Sequence, residues 1–225
     1  DYKHLNNLKT PLKDGKKIGI IFEKKYGFKV DYLPNATHED ITKKLSKLVY
    51  SLKENDNFLI YFAGHGKEVL DDGYWLPHDA EEKIDTKWIS NDYIGKKLKQ
   101  IKSKNILVIA DSCYSGTLTR SDAKSVNKKT KPIDKWLNTK SRIVISSGGV
   151  GPVHDSGGGG HSVFARFVIN FLTNNSEAIT ATDLHASIYK DVSNLSLKMG
   201  TQQTPRIGQL EQFGHEGPDF VFLSN

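Results

Sequence analysis

The sequence predicts an α/β fold in which a mostly parallel central sheet carries helices on both faces. Two apolar runs without alternation, Phe58–Phe62 and Ile106–Ala110, and a shorter one, Ile143–Ile145, have the pattern of strands buried on both faces. Segments with helical spacing separate them, the order expected of parallel strands joined by crossovers. No internal repeat or composition shift divides the 225 residues, so a single domain spanning 1–225 is expected.

The elements follow in order. Asp14–Tyr26 carries Ile18, Ile21 and Phe22 at helical spacing and stops at Gly27, a helix weakened by Gly15 and Gly19. Phe28, Val30 and Tyr32 alternate with polar residues before Pro34-Asn35, which predicts a short strand and turn. Thr37 and Asp40 resemble a capping box, and Ile41, Leu45, Leu48, Val49 and Leu52 form one helical face behind it. Further helices are expected over Asp92–Ile101, His161–Leu172 and Thr182–Leu197, with a last strand at Phe220–Leu223. Two segments break the pattern. Residues 119–141 are rich in Lys, Ser and Thr without apolar periodicity, a linker of the length that is usually functional or disordered. Residues 148–160 hold seven of the nineteen glycines and read as a loop.

Composition narrows the function classes. Hydrophobic residues make up 37% and charged residues 26%, which is ordinary for a globular domain. No apolar stretch is long enough to span a bilayer. The polar, Lys-rich first twenty residues lack the apolar core of a signal peptide. One cysteine excludes an internal disulfide and favours a reducing, cytoplasmic setting. The net charge of +6 invites a nucleic-acid reading, but Arg120–Arg142 alone holds eight basic and two acidic residues. The remainder is neutral, so no basic face is spread over the fold and no nucleic-acid partner is expected.

In an open parallel sheet the reactive groups lie beyond the carboxyl ends of the strands. Ala63-Gly64-His65-Gly66 follows the first apolar run, and Asp111-Ser112-Cys113-Tyr114-Ser115-Gly116 follows the second. Taken singly, a strand-end cysteine is a small buried hydrophobe and a strand-end histidine is a structural hydrogen-bonding residue. Together, at matching ends of two buried runs, they suit a thiolate nucleophile and an imidazole that takes and returns its proton. The backbone N–H groups of Gly66 and Cys113 are candidates for stabilising the oxyanion. The other histidines lack metal-ligand spacing, and Gly157–Gly160 lacks the Lys-Ser/Thr of a phosphate-binding loop. Trp75, Trp88 and Trp136 read as packing residues, with Trp88 also a candidate for lining a substrate groove.

The blocks FLIYFAGHG and ILVIADSCYSG resemble the His and Cys blocks of caspase-like cysteine peptidases, closest to the metacaspase and bacterial orthocaspase branch. DGYWLPHDA, ISNDYI, HSVFARFVINFL and GPDFVF extend the resemblance along most of the chain. It implies a caspase–haemoglobinase fold and hydrolysis of peptide bonds, with His65 as base, Cys113 as nucleophile and an oxyanion hole at Gly66 and Cys113. It also implies an acidic pocket for Arg or Lys before the scissile bond. Asp111 matches one pocket position, and Asp14, within LKTPLKD, matches the other. Asp14 has a helix N-cap as its alternative reading. Two carboxylates in one pocket favour a cation, above all a bidentate Arg.

The partners so implied are proteins or peptides with Arg or Lys before the cut. Many metacaspases need calcium as activator. Asp72 and Asp92 resemble some of its ligands, whereas Arg120 stands where another acidic ligand is expected. The family's first apolar strand has no match in this chain, which implies a gap in the sheet and a fragment of a longer protein that carries further domains. Self-processing within Lys124–Lys131 is a further expectation. A catalytically silent caspase-like scaffold is the competing function, disfavoured because both dyad residues are present.

Overall fold

The computed structural model describes residues 1–112, 139–148 and 159–224. Cys113, Trp136, most of the 119–141 linker and most of the glycine-rich loop therefore lie outside the described residues. The central sheet has four strands. β1 (Asn57–Ala63) pairs in parallel with β5 (Asn105–Asp111), and β5 with β6 (Ser141–Ser146). β8 (Arg206–Gln209) joins the far side of β6 antiparallel. A second sheet is antiparallel: β2 (Gly66–Val69), β3 (Asp72–Trp75) and β4 (Ile89–Ser90). β7 (Ile179–Thr180) and β9 (Val221–Phe222) form a two-stranded ladder of their own, so the closing strand foreseen at Phe220–Leu223 does not join the main sheet.

Among the described residues the α-helices are α1 (Pro11–Tyr26), α2 (His38–Ser51), α3 (Asn91–Gln100), α4 (Val163–Asn174) and α5 (Ala181–Lys198). Side-chain alternation on the strands divides the core. Leu107, Ile109, Ile143 and Ile145 face α1, α4 and α5. Ile106, Val108, Ala110 and Val144 face α3 and Trp75 and Ile89 of the small sheet. Every residue of β5 and β6 is buried, as continuous apolar runs predict.

Local chemistry explains the helix ends. Thr37 and Asp40 make the full reciprocal capping box of α2. Gly27 ends α1 at φ 67, a left-handed conformation that suits glycine. α1 begins at Pro11 rather than Asp14, because proline is favoured in the first helical turn, where its missing N–H costs nothing. Thr10 is the N-cap residue, which removes the capping role considered for Asp14. α4 begins at Val163, with the Ser162 hydroxyl accepting from the Ala165 N–H.

Three expectations are corrected. Phe28–Tyr32 forms no strand, although Phe28 and Val30 pack inward. Among the described residues it has no ladder partner, and a cavity of about 970 Å3 lies between it and β1. Ile18, Phe22, Leu45 and Leu48 also line that cavity. β1 is consequently the edge of the sheet and only half-buried, not enclosed on both faces. Arg142, counted with the basic segment, is a core residue of β6 at 1% exposure. Its guanidinium donates to the carbonyls of Lys104 (2.6 Å), Ser103 (2.7 Å) and Ser141 (3.0 Å), which satisfies a charge that burial otherwise penalises.

Candidate active site

The β1–β5 ladder sets the site. It pairs residues 48 apart, ending at Ala63 opposite Asp111, and His65 and Cys113 are also 48 apart. Two parallel neighbours thus end level, with the histidine two residues beyond one and the cysteine two residues beyond the other. The Gly64 N–H donates to the Asp111 carbonyl at 3.2 Å and holds the two strand ends together. Cys113 itself lies outside the described residues, one position after Ser112.

His65 is held by the first residues of the chain. Its Nε2 lies 2.8 Å from the carbonyl oxygen of Asn6. A carbonyl only accepts, so Nε2 carries the hydrogen, and Nδ1 is the nitrogen whose lone pair takes a proton. The His65 backbone N–H donates to the Tyr2 hydroxyl at 2.7 Å, and the two rings lie 4.6 Å apart. Gly64 makes this approach feasible, since a Cβ there would collide with the Tyr2 hydroxyl. Neither Tyr2 nor Asn6 stands out in the sequence. Every residue offers a carbonyl, and Asn6 is 59 positions from His65. Gly66 opens β2 opposite Trp75, whose ring is buried and stacks on Phe62 at 4.2 Å.

The structure brings Asp14 and Asp111 into one buried cluster. The Ser162 hydroxyl donates to Asp111 Oδ2 at 2.5 Å, and the Ser162 N–H donates to Asp14 Oδ2 at 3.1 Å. His161 Nδ1 lies 2.5 Å from Asp14 Oδ1. The Tyr61 hydroxyl faces both carboxylates. Burial pushes the Asp14 carboxyl above its ordinary range against the opposing hydrogen bonds of His161 and Ser162. It pushes Asp111 further, to about 7, with the neighbouring Asp14 charge adding to the effect. His161 and Ser162 went unnoticed in the sequence as partners of this cluster, because neither spacing nor composition links them to Asp14.

The calcium candidates are placed differently. Asp72 starts β3 in an exposed position, and Asp92 pairs with Lys96 at 2.6 Å on the surface of α3. Among the described residues no three His, Cys, Asp or Glu side chains gather closely enough to share a metal ion. Trp88 donates through Nε1 to the Glu81 carbonyl at 2.7 Å and carries the Lys67 ammonium 4.5 Å over its ring. Among the described residues no helix is long and apolar enough to cross a membrane.

Solved structures share this architecture. A Geobacter sulfurreducens protein aligns over 96% of this chain and 91% of its own at 19% identity, with a TM-score of 0.60. Caspase-1 from Spodoptera frugiperda aligns over 93% and 83% at 15% identity and a TM-score of 0.64. The Drosophila initiator caspase Dronc aligns over 96% and 77% at 14% identity and a TM-score of 0.67. At these identities the likeness is one of fold, an α/β caspase-like architecture with a mixed, mostly parallel sheet. No curated protein sequence matches the chain. The sequence pattern of the caspase domain, however, matches residues 1–212, and the chain belongs to the caspase-domain family.

Proposed function

We propose that this chain is a cysteine endopeptidase that hydrolyses peptide bonds after Arg or Lys. The observation that carries the reading is the buried Asp14–Asp111 pair at the end of β5, two residues before the only cysteine. Cys113 is the nucleophile. His65 Nδ1 takes the thiol proton, and the thiolate attacks the scissile carbonyl to form a tetrahedral intermediate. The imidazolium protonates the leaving amine as the C–N bond breaks to give a thioester, and the imidazole then activates a water that releases the acid and restores the thiol. The Asn6 carbonyl steadies the imidazole by accepting from Nε2. The backbone N–H groups of Gly66 and Cys113 are the proposed donors to the oxyanion.

A cation before the scissile bond finds two carboxylates in the pocket, whereas an aspartate there meets like charge, a mismatch that costs several kcal/mol. The linker 119–141 contains one Arg and six Lys, the residue types this specificity accepts, and cleavage within Lys124–Lys131 is the proposed self-processing step. Calcium as an activator is an additional proposal, tested by chelation.

The test is a panel of fluorogenic peptides differing only in the residue before the cut. Arg and Lys peptides are expected to be cleaved at least about a hundredfold faster than Asp peptides, in kcat/KM. Cys113→Ala and His65→Ala should each lose at least about a thousandfold. A preference for Asp overturns the pocket assignment. A correctly folded chain that cleaves none of the peptides is a scaffold.

A further inference from the structure

The two pocket carboxylates differ in their partners. Asp14 has both oxygens engaged, Oδ1 by His161 Nδ1 and Oδ2 by the Ser162 N–H. Asp111 is 6% exposed, and the side chains that hydrogen-bond toward it are neutral hydroxyls. Its Oδ2 accepts from the Ser162 hydroxyl, while its Oδ1 is buried without a full hydrogen bond. The Tyr61 hydroxyl and the Ser147 hydroxyl stand nearby.

Among the described residues, α1 presents Asp14 to Asp111, β1 presents Tyr61, the end of β6 presents Ser147, and the turn before α4 presents His161 and Ser162. The Lys13 ammonium lies outside, beside Gly160. Among the described residues no Lys, Arg or His forms an ion pair with Asp111. A buried carboxylate next to another carboxylate and without a counter-cation favours its protonated form.

We propose, building on the basic-side-chain reading of the pocket, that a Lys or Arg side chain enters in exchange for the proton held by Asp111. His161 is the specificity-determining partner that occupies Asp14, so that Asp111 is the carboxyl the incoming cation meets. The step breaks the O–H bond of the Asp111 carboxylic acid. The proton passes to solvent, and the carboxylate left behind pairs with the ammonium or guanidinium. No bond to the substrate forms. Burial pushes the Asp111 carboxyl up to about 7. Below that pH, affinity for a basic side chain rises about tenfold per pH unit, and above it affinity levels off.

The test uses the wild-type chain and agmatine, a guanidinium probe without a scissile bond. Its binding is measured by calorimetry in two buffers of different ionisation enthalpy, at about pH 6 and about pH 8.5. The expected result is release of about one proton per agmatine at the lower pH and almost none at the higher. Asp111→Asn is expected to bind more weakly and to release no proton, and His161→Gln is expected to keep the release. Binding without proton release at the lower pH overturns the exchange while leaving the basic pocket standing. Release that survives Asp111→Asn, or disappears in His161→Gln, assigns the proton elsewhere and overturns it equally. Absence of agmatine binding at both pH values overturns the pocket reading itself. The two-buffer comparison on the wild type decides the matter even where a variant fails to fold.

Discussion

Asp111 ties the candidate chemistry to the stability of the fold. Its carboxyl has an ordinary value of 3.8 and is pushed to about 7 in the folded chain, chiefly by burial. The folded chain therefore holds this proton more tightly than the unfolded one. Its contribution to stability is fully present below about pH 4, is lost as pH rises toward 7, and then stays constant. Asp111→Asn removes the titration. The variant should be more stable than wild type at pH 8, by a few kcal/mol at most, with the gap closing near pH 4. Urea denaturation at both pH values checks this, and a gap independent of pH contradicts it. His215 has the opposite sign. Burial lowers it to about 4, so its contribution is present above its ordinary 6.5 and is lost as pH falls toward 4. The difference between the variant and wild type isolates Asp111 from this effect. At this scale the place of His65 just beyond β1 was legible, because a short apolar run ends directly before it. The contacts that tie Asp14 to His161 and Ser162 join residues 147 and 148 positions apart, which no local pattern encodes.

Helix ends and buried strands were legible because their determinants are local. Thr37 with Asp40 starts α2, Gly27 stops α1, and unbroken apolar runs mark β5 and β6. Strand formation is not local. Phe28–Tyr32 alternates as a strand should, yet no neighbour completes a ladder. β2, β3 and β4 are two to four residues long, too short for periodicity to register. Glycines within helices show the same limit: Gly15 in α1 and Gly95 in α3 are alike in helix propensity, and only packing separates them. At Gly95 an added Cβ would run into the Phe213 ring, whereas at Gly15 it would meet Tyr32 at an ordinary 3.4 Å. Gly95→Ala should therefore destabilise by about 1–3 kcal/mol despite its better helix propensity. Gly15→Ala should stabilise by about 0.5–1 kcal/mol. Thermal denaturation of the two variants checks both signs, and equal effects would contradict the packing assigned to α3.

Across the whole molecule the sheet is strongest at its centre. β5 has ladder partners on both sides and β1 on one, with the cavity along its other edge. Hydrogen exchange in this 225-residue chain should be slowest in Leu107–Ile109 and Ile143–Ile145, and faster at alternate amides of β1 that face the cavity. Equal protection along β1 and β5 would contradict an open edge. The same β1–β5 pairing sets His65 level with the approach to Cys113, so fold and chemistry share one register. That the strands would end level was an inference from two apolar runs in the sequence, and the ladder supplies the alignment. The most direct test of the account is intact-mass measurement after treatment with a peptidyl-arginine chloromethyl ketone, with its aspartyl counterpart as control. Because the chain has one cysteine, alkylation by the reagent maps to a single thiol. One adduct on Cys113 is expected with the arginyl reagent, with far slower labelling by the aspartyl one and loss of rapid labelling in His65→Ala. Equal labelling by both reagents, or labelling unaffected by His65→Ala, would contradict it.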